Sequence, residues 1–218
     1  MPKSSQIVVL LHGILRSKTD MLALDKALQK QGYETINILY PSREKSLEDL
    51  TEFVRNTIET SPYYTADKTL HFVTHSMGGL IARYYIAKHR PKSLGKVVML
   101  GPPNTGSEFA DFLNENKILG PIFKSIFGPA SQQLTTKYEH IDEDIDYPLG
   151  VIAGSASINP LAPWVLDGEH DGIVTVERTK IEGMTDHITI KSTHTFMMFN
   201  PKVIKQAVYF LENGKFEI

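Results

Sequence analysis

The sequence predicts an α/β fold: a mostly parallel, six-stranded sheet flanked by helices, with a small helical cap inserted after the fourth strand. Three observations carry that expectation. Short, continuous apolar runs recur along the 218 residues, as expected of strands buried on both faces of a parallel sheet. Between them stand segments with apolar residues at three- and four-residue spacing, the pattern of helices that cover such a sheet. One interval, Gly101 to Tyr147, carries more large apolar residues than a connection between two strands requires.

The elements follow in order. Ile7 to Leu11 is an uninterrupted apolar run and the first strand, ending in His12-Gly13-Ile14-Leu15. Met21, Leu24 and Leu28 repeat at helical spacing, and the pattern stops at Gly32. Thr35 to Leu39 reads as the second strand, closed by Tyr40-Pro41. Ser46 and Asp49 form an S-x-x-D capping signal ahead of a helix whose inner face is Leu47, Leu50, Val54 and Ile58. Leu70 to Val73 is the third strand, and Leu80 to Ala87 has the length of a helix that stops before Pro91. Val97 to Leu100, Pro148 to Ala153 and His187 to Ile190 are the remaining strands. Asn200-Pro201 opens a last helix with Val203, Ile204, Ala207, Val208 and Leu211 inward. The length suits one domain, residues 1–218, with the cap-like insertion at about 104–147. No repeat or low-complexity linker interrupts it.

Between the third strand and its helix stands Thr74-His75-Ser76-Met77-Gly78-Gly79, with no room for a loop. A strand that turns directly into a helix with serine at the apex exposes the hydroxyl. It also sets the next backbone N–H, that of Met77, at a helix N-terminus, where it can stabilise a developing oxyanion. Gly78 and Gly79 let the helix lie close to the strand. His75-Ser76-Met77-Gly78-Gly79 resembles the nucleophile elbow of the α/β-hydrolases, lipases and esterases in particular. Its departure from G-x-S-x-G is Thr74 at the first position. Because the chain reaches His12-Gly13 almost at once, it is similar to the compact lipases that lack two leading antiparallel strands. The plainer alternative is an ordinary strand-turn-helix with a chance serine.

That resemblance implies a serine, acid, histidine order along the chain. His194, on the loop after the last strand, is the histidine the family pattern selects from His89, His140, His170, His187 and His194. For the acid, Asp171-Gly172-Ile173-Val174 resembles the family's D-G-x-V motif, and Asp167-Gly168 is the competing candidate. An aspartate before glycine is also a common turn pair. His12-Gly13 implies a second oxyanion donor at the N–H of Ile14, with His12 holding the loop rather than moving protons. The implied chemistry is two-step hydrolysis of a carboxylic ester, by an esterase or lipase, through a Ser76–His194–Asp171 triad. The alternatives are an acyltransferase or an amide or thioester hydrolase on the same triad, and a non-catalytic binding protein of the same fold.

In the insertion, Phe109, Phe112, Ile122, Phe123, Ile126 and Phe127 would line an acyl pocket. Equally, they would bury the cap's own helices against the body. The acidic run Glu139 to Asp146 is a solvated face. A formal net charge of −2 points to neither nucleic acid nor a membrane surface. The absence of cysteine excludes disulfides and thiol catalysis. No run reaches transmembrane length, and Met1 to Gln6 is too short for a signal peptide. The expectation is therefore a cytoplasmic protein with a small-molecule ester as its partner, one bearing an aliphatic acyl group, with no integral membrane contact and no metal or organic cofactor. Secretion after removal of a leader stays open.

Overall fold

A computed structural model of the chain describes residues 5–117, 119–139, 141 and 144–217, the side chains at 119, 122 and 123 excepted. Six strands form one sheet: β1 (Gln6–Leu11), β2 (Glu34–Ile38), β3 (Thr69–His75), β4 (Leu94–Leu100), β5 (Leu149–Gly154) and β6 (Asp186–Ile190). Their order is β2-β1-β3-β4-β5-β6, and every neighbouring pair is parallel. Parallel neighbours require crossovers. The long ones carry α1 (Leu22–Lys30), α2 (Leu47–Glu59) and α3 (Met77–His89). After β4 come α4 (Glu108–Glu115) and α5 (Leu119–Phe127), after β5 the single turns α6 (Ala162–Val165) and α7 (Val176–Thr179), and after β6 α8 (Pro201–Asn213).

Strand pleating explains why β1 shows no polar alternation. Ile7, Val9 and Leu11 face one way, into a cluster with Leu50 and Val54 of α2 and Leu80 and Ile81 of α3. Val8 and Leu10 face the other, toward Leu24 and Leu28 of α1 and Val203 and Phe210 of α8. Each of these fully buried side chains contributes about 1.5–3 kcal/mol by leaving water. Helix α3 is buried nearly all round, from Met77 through Ile86, because α2 covers the side that the sheet does not.

Local signals fix the helix ends. Ser46 Oγ accepts the Asp49 N–H at 3.2 Å, and Asn200 Oδ1 accepts that of Lys202 at 2.9 Å. Gly214, at φ +74°, ends α8 in the left-handed conformation. A capping box that the apolar pattern does not reveal, Ser17 with Asp20, opens a 3-10 turn at Lys18–Met21. Strand β4 begins at Leu94, three residues before the apolar run suggests. Leu94, Gly95 and Lys96 are only partly buried at the sheet's N-terminal end, so they need not be apolar.

The chain runs outward from β1 to β2, then returns past β1 to β3 and continues to β6. That reversal opens a crevice between the carboxyl ends of β1 and β3, the usual ligand position in open α/β sheets. The stretch after β4 lies over this end. Its 3-10 turn Pro129–Leu134 is tied to α2, with Gln133 Oε1 accepting the Leu47 N–H at 2.6 Å and Gln133 Nε2 donating to Glu48 Oε2 at 3.0 Å. Ile118 and His140 lie outside the described residues. Among those described, no helix is long and apolar enough to cross a membrane, and no group of three or more His, Cys, Asp or Glu could hold a metal ion.

Candidate active site

Ser76 stands at the switch point, between the end of β3 and the first residue of α3. Its backbone is at φ +54°, ψ −126°, a conformation that side-chain-bearing residues rarely adopt and that must be held from outside. Two hydrogen bonds hold it: Ser76 N–H to Leu100 O and Gly79 N–H to Ser76 O, both 2.9 Å. Gly78 serves the close approach to β1, since a Cβ there would lie 2.6 Å from Leu11 O and 2.8 Å from His12 O. Gly79 instead faces the side chains of Met99 and Pro102. Thr74 is fully buried in the sheet, where its hydroxyl makes a long, 3.5 Å contact to Val98 O.

His194 opens a 3-10 turn after β6. Its Nε2 lies 2.9 Å from Ser76 Oγ and its Nδ1 2.7 Å from Asp171 Oδ2. The Asp171 carboxylate is itself oriented, for Oδ1 accepts the N–H groups of Ile173 at 3.0 Å and Val174 at 2.8 Å. The main chains are latched as well, His194 N–H donating to Asp171 O at 3.0 Å. A carboxylate can only accept, so Nδ1 carries the proton and Nε2 is left to accept from the serine hydroxyl. Ser76, His194 and Asp171 are all buried. Asp167 lies elsewhere, in a surface hollow with Glu177 and Lys180. His89 pairs with Glu52 at 2.6 Å, and His187 contacts Thr179 Oγ at 3.0 Å.

Gly101 belongs to this arrangement, although the sequence marks it only as the start of a segment. It sits at φ +52°, and a Cβ there would stand 2.9 Å from Asp171 Oδ2 and 3.2 Å from His194 Nδ1. The carboxylate–imidazole pair thus occupies the space a side chain would fill. A glycine directly after a buried strand's apolar run is the signal that could have found it.

Tyr40 was another residue without a sequence role. Its ring stacks on that of His12, with centroids 4.0 Å apart and planes 6° from parallel. The Tyr40 hydroxyl donates to His12 O. His12 Nδ1–H donates to Gly13 O at 2.8 Å, and burial lowers the pKa of this ring. His12 is therefore a neutral strut of the loop. Beyond it, Arg16 N–H bonds Gly13 O at 3.2 Å, closing a turn that holds Leu15 at φ +57° and brings Ile14 to the cavity wall. His75 donates Nε2–H to the main-chain carbonyl of His194 at 2.9 Å. Burial, and then the neighbouring His194, push the pKa of His75 well down. It stays neutral, and no second imidazolium forms beside His194, whose ring centroid is 4.8 Å away.

A cavity of about 400 Å³ opens on Ser76 and His194. Its walls are mostly apolar and include Ile14, Phe109, Leu113, Phe127, Leu134 and Val174. Phe109 and Leu113, one turn apart on α4, share the inward face. Two residues expected here do not reach it. Phe112 lies against Phe109 with ring centroids 6.3 Å apart, outside the lining, and Ile126 is 42% exposed on the solvent side of α5. The side chains of Ile122 and Phe123 lie outside the described residues. A larger hollow of about 850 Å³ around Arg83, Asn104 and Tyr138 does not touch Ser76.

Comparison with known proteins adds to this geometry. Residues 1–112 match the family described as "Putative serine esterase (DUF676)". A triacylglycerol lipase of Pseudarthrobacter phenanthrenivorans is 34% identical over 68 residues, 31% of this chain and 20% of the lipase. The chain thus matches about a fifth of that relative's length. The mature Bacillus licheniformis lipase BlEst2 superposes with a TM-score of 0.72 at 20% identity, over 96% of this chain and 91% of its own. The thioesterase RedJ of prodiginine biosynthesis in Streptomyces coelicolor does so with a TM-score of 0.63 at 15% identity, over 96% and 90%. At such identities the superpositions speak to the fold.

Proposed function

This chain belongs to the "Putative serine esterase" family and has the α/β-hydrolase fold, and from that premise we propose that it hydrolyses carboxylic esters through an acyl-enzyme on Ser76. The observation that carries this reading is the line of hydrogen bonds from Asp171 through His194 to Ser76, at 2.7 and 2.9 Å, beside an apolar cavity.

A serine hydroxyl is a weak nucleophile near neutral pH and needs an adjacent, oriented base. His194 Nε2 takes the proton as Ser76 Oγ bonds to the ester carbonyl carbon. Asp171 keeps the ring in the required tautomer and stabilises the imidazolium. Charge that gathers on the carbonyl oxygen is met by the N–H of Met77, at the head of α3, and that of Ile14. When the carbon–oxygen bond to the alcohol breaks, His194 returns its proton to the leaving oxygen. The same imidazole then draws a proton from water as its oxygen attacks the acyl carbon, and returns that proton to Ser76 Oγ as the carbon–Oγ bond breaks, releasing the acid and restoring the serine hydroxyl. Phe109 and Phe127 suit an aliphatic acyl chain, and the segment 104–147 acts as a cap over it.

Comparing wild type with Ser76→Ala on p-nitrophenyl esters of increasing acyl length tests the proposal. Rapid turnover by wild type, lost in the variant, is expected. Turnover by the variant at the native rate would remove Ser76 from the mechanism.

A further inference from the structure

Among the described residues lining the cavity beside Ser76, Arg16 is the one of fixed charge, and none is Asp or Glu. The Arg16 N–H closes the turn that presents Ile14. Its side chain is 26% exposed and has one ion pair, from Nη1 to Asp20 Oδ1, at 3.5 Å. That separation is longer than a good hydrogen bond. Asp20 is engaged elsewhere, for its Oδ2 accepts from Ser17 N–H at 2.8 Å and from Ser17 Oγ at 3.2 Å in the capping box. A guanidinium has five N–H donors in a planar fork, and most of these are uncommitted among the described residues. Burial first, then His194, and in smaller part the charge of Arg16 disfavour a proton on His75. A partly exposed cation with uncommitted donors, set in a mostly apolar wall, can form charge-assisted hydrogen bonds to an anion arriving with a substrate.

We propose that Arg16 recognises an anionic group on the substrate. The cavity would then prefer amphiphilic esters that pair an aliphatic chain with a carboxylate or phosphate over neutral esters of the same size. This rests on the esterase reading of the Ser76 site. The chain lies against Phe109, Leu113 and Phe127, and the anion takes the donors that Asp20 leaves free. Both anions match the guanidinium fork in a bidentate geometry that lysine cannot reproduce.

The test is kcat/KM on matched pairs. One pair sets a p-nitrophenyl alkanoate against the p-nitrophenyl monoester of the dicarboxylic acid of equal length, which places the anion on the acyl side. The other sets a monoacylglycerol against the same acyl ester of glycerol phosphate, which places it on the alcohol side. Wild type should favour the anionic member of at least one pair by roughly tenfold or more, the usual scale for a charge-assisted contact. Arg16→Gln should abolish that ratio, Arg16→Lys should restore part of it, and added salt should shrink it. Turnover with no anionic preference in either pair, or a preference that survives Arg16→Gln, would overturn the inference while leaving the esterase reading in place. No turnover of any of the four esters would overturn both.

Discussion

Replacing Gly78 with alanine should destabilise the protein, although helix propensity alone predicts a gain. In an ordinary helix the change is worth about 1 kcal/mol in favour of alanine. Here the new methyl carbon would stand 2.6 Å from Leu11 O and 2.8 Å from His12 O. That is about 0.7 Å short of the roughly 3.3 Å at which carbon and carbonyl oxygen ordinarily meet. The obstacles are backbone atoms at the end of β1, which cannot rotate away, so α3 must shift. Overpacking of this kind costs about 1–3 kcal/mol. At the upper end of that range the net loss is about 1–2 kcal/mol, a fall in Tm of roughly 2–8 °C for a chain of this size. The shift also carries the Met77 N–H away from Ile14. Since a misplacement of about 1 Å can cost a hundredfold, kcat should fall roughly tenfold. Gly79→Ala is the matched control. Its methyl would lie 3.2 Å from Met99 Sδ and Pro102 Cβ, and Met99 can bend aside, so stability and rate should stay close to wild type. Thermal melts and p-nitrophenyl acetate kinetics on the two variants decide the matter. A Gly78→Ala protein as stable and as active as wild type would refute the argument that α3 is seated against the backbone of β1.

His194→Ala should match Ser76→Ala in severity, each lowering kcat by on the order of 10⁴ or more because the two groups act as a unit. His187→Ala should retain most activity, and the reverse ranking would sink the assignment of the base. Phe109→Ala should move the acyl length at which selectivity levels off, with each buried methylene worth about 0.8 kcal/mol or roughly fourfold in kcat/KM. Ile126→Ala, on the exposed side of α5, should leave the chain-length profile as it is, and equal effects from both changes would argue against the cavity as the acyl site. His71 should make the fold acid-sensitive. Burial, and then the Lys96 charge, lower its pKa to about 4, whereas in the unfolded chain a histidine titrates near 6.5. Between those values the unfolded state binds more protons, so stability is present above about pH 6.5 and is lost as pH falls toward 4, by roughly 3 kcal/mol from this group. Urea midpoints at pH 7 and pH 4 should converge in His71→Gln relative to wild type. An undiminished pH dependence in the variant would show that His71 is not the source.

The sequence by itself determined what depends on neighbours along the chain. Uninterrupted apolar runs such as Ile7 to Leu11 announce strands covered on both faces, because pleating sends alternate side chains to opposite layers. Ser46 and Asn200 act within one turn of the helix ends they set, and the crowding of Thr74 to Gly79 leaves the backbone no route but a sharp turn. The expected order of serine, acid and histidine came from the resemblance to the α/β-hydrolases, carried by local motifs such as His75 to Gly79 and Asp171 to Val174. What only the tertiary structure decided are the contacts between segments distant in the chain. Asp171 and Asp167 are both aspartates before glycine, and only the approach of the turn after β6 brings one of them within 2.7 Å of His194. The bond from His75 to the carbonyl of His194 spans 119 positions, and the stack of Tyr40 on His12 spans 28. Gly101 matters because an imidazole and a carboxylate from two other loops fill the space beside it. In the insertion the sequence supplied apolar residues without their direction. Hydrophobicity says that a side chain will avoid water, but whether Phe109 faces a cavity and Ile126 the solvent depends on how α4 and α5 are rotated. That rotation is set by the surfaces against which the helices pack.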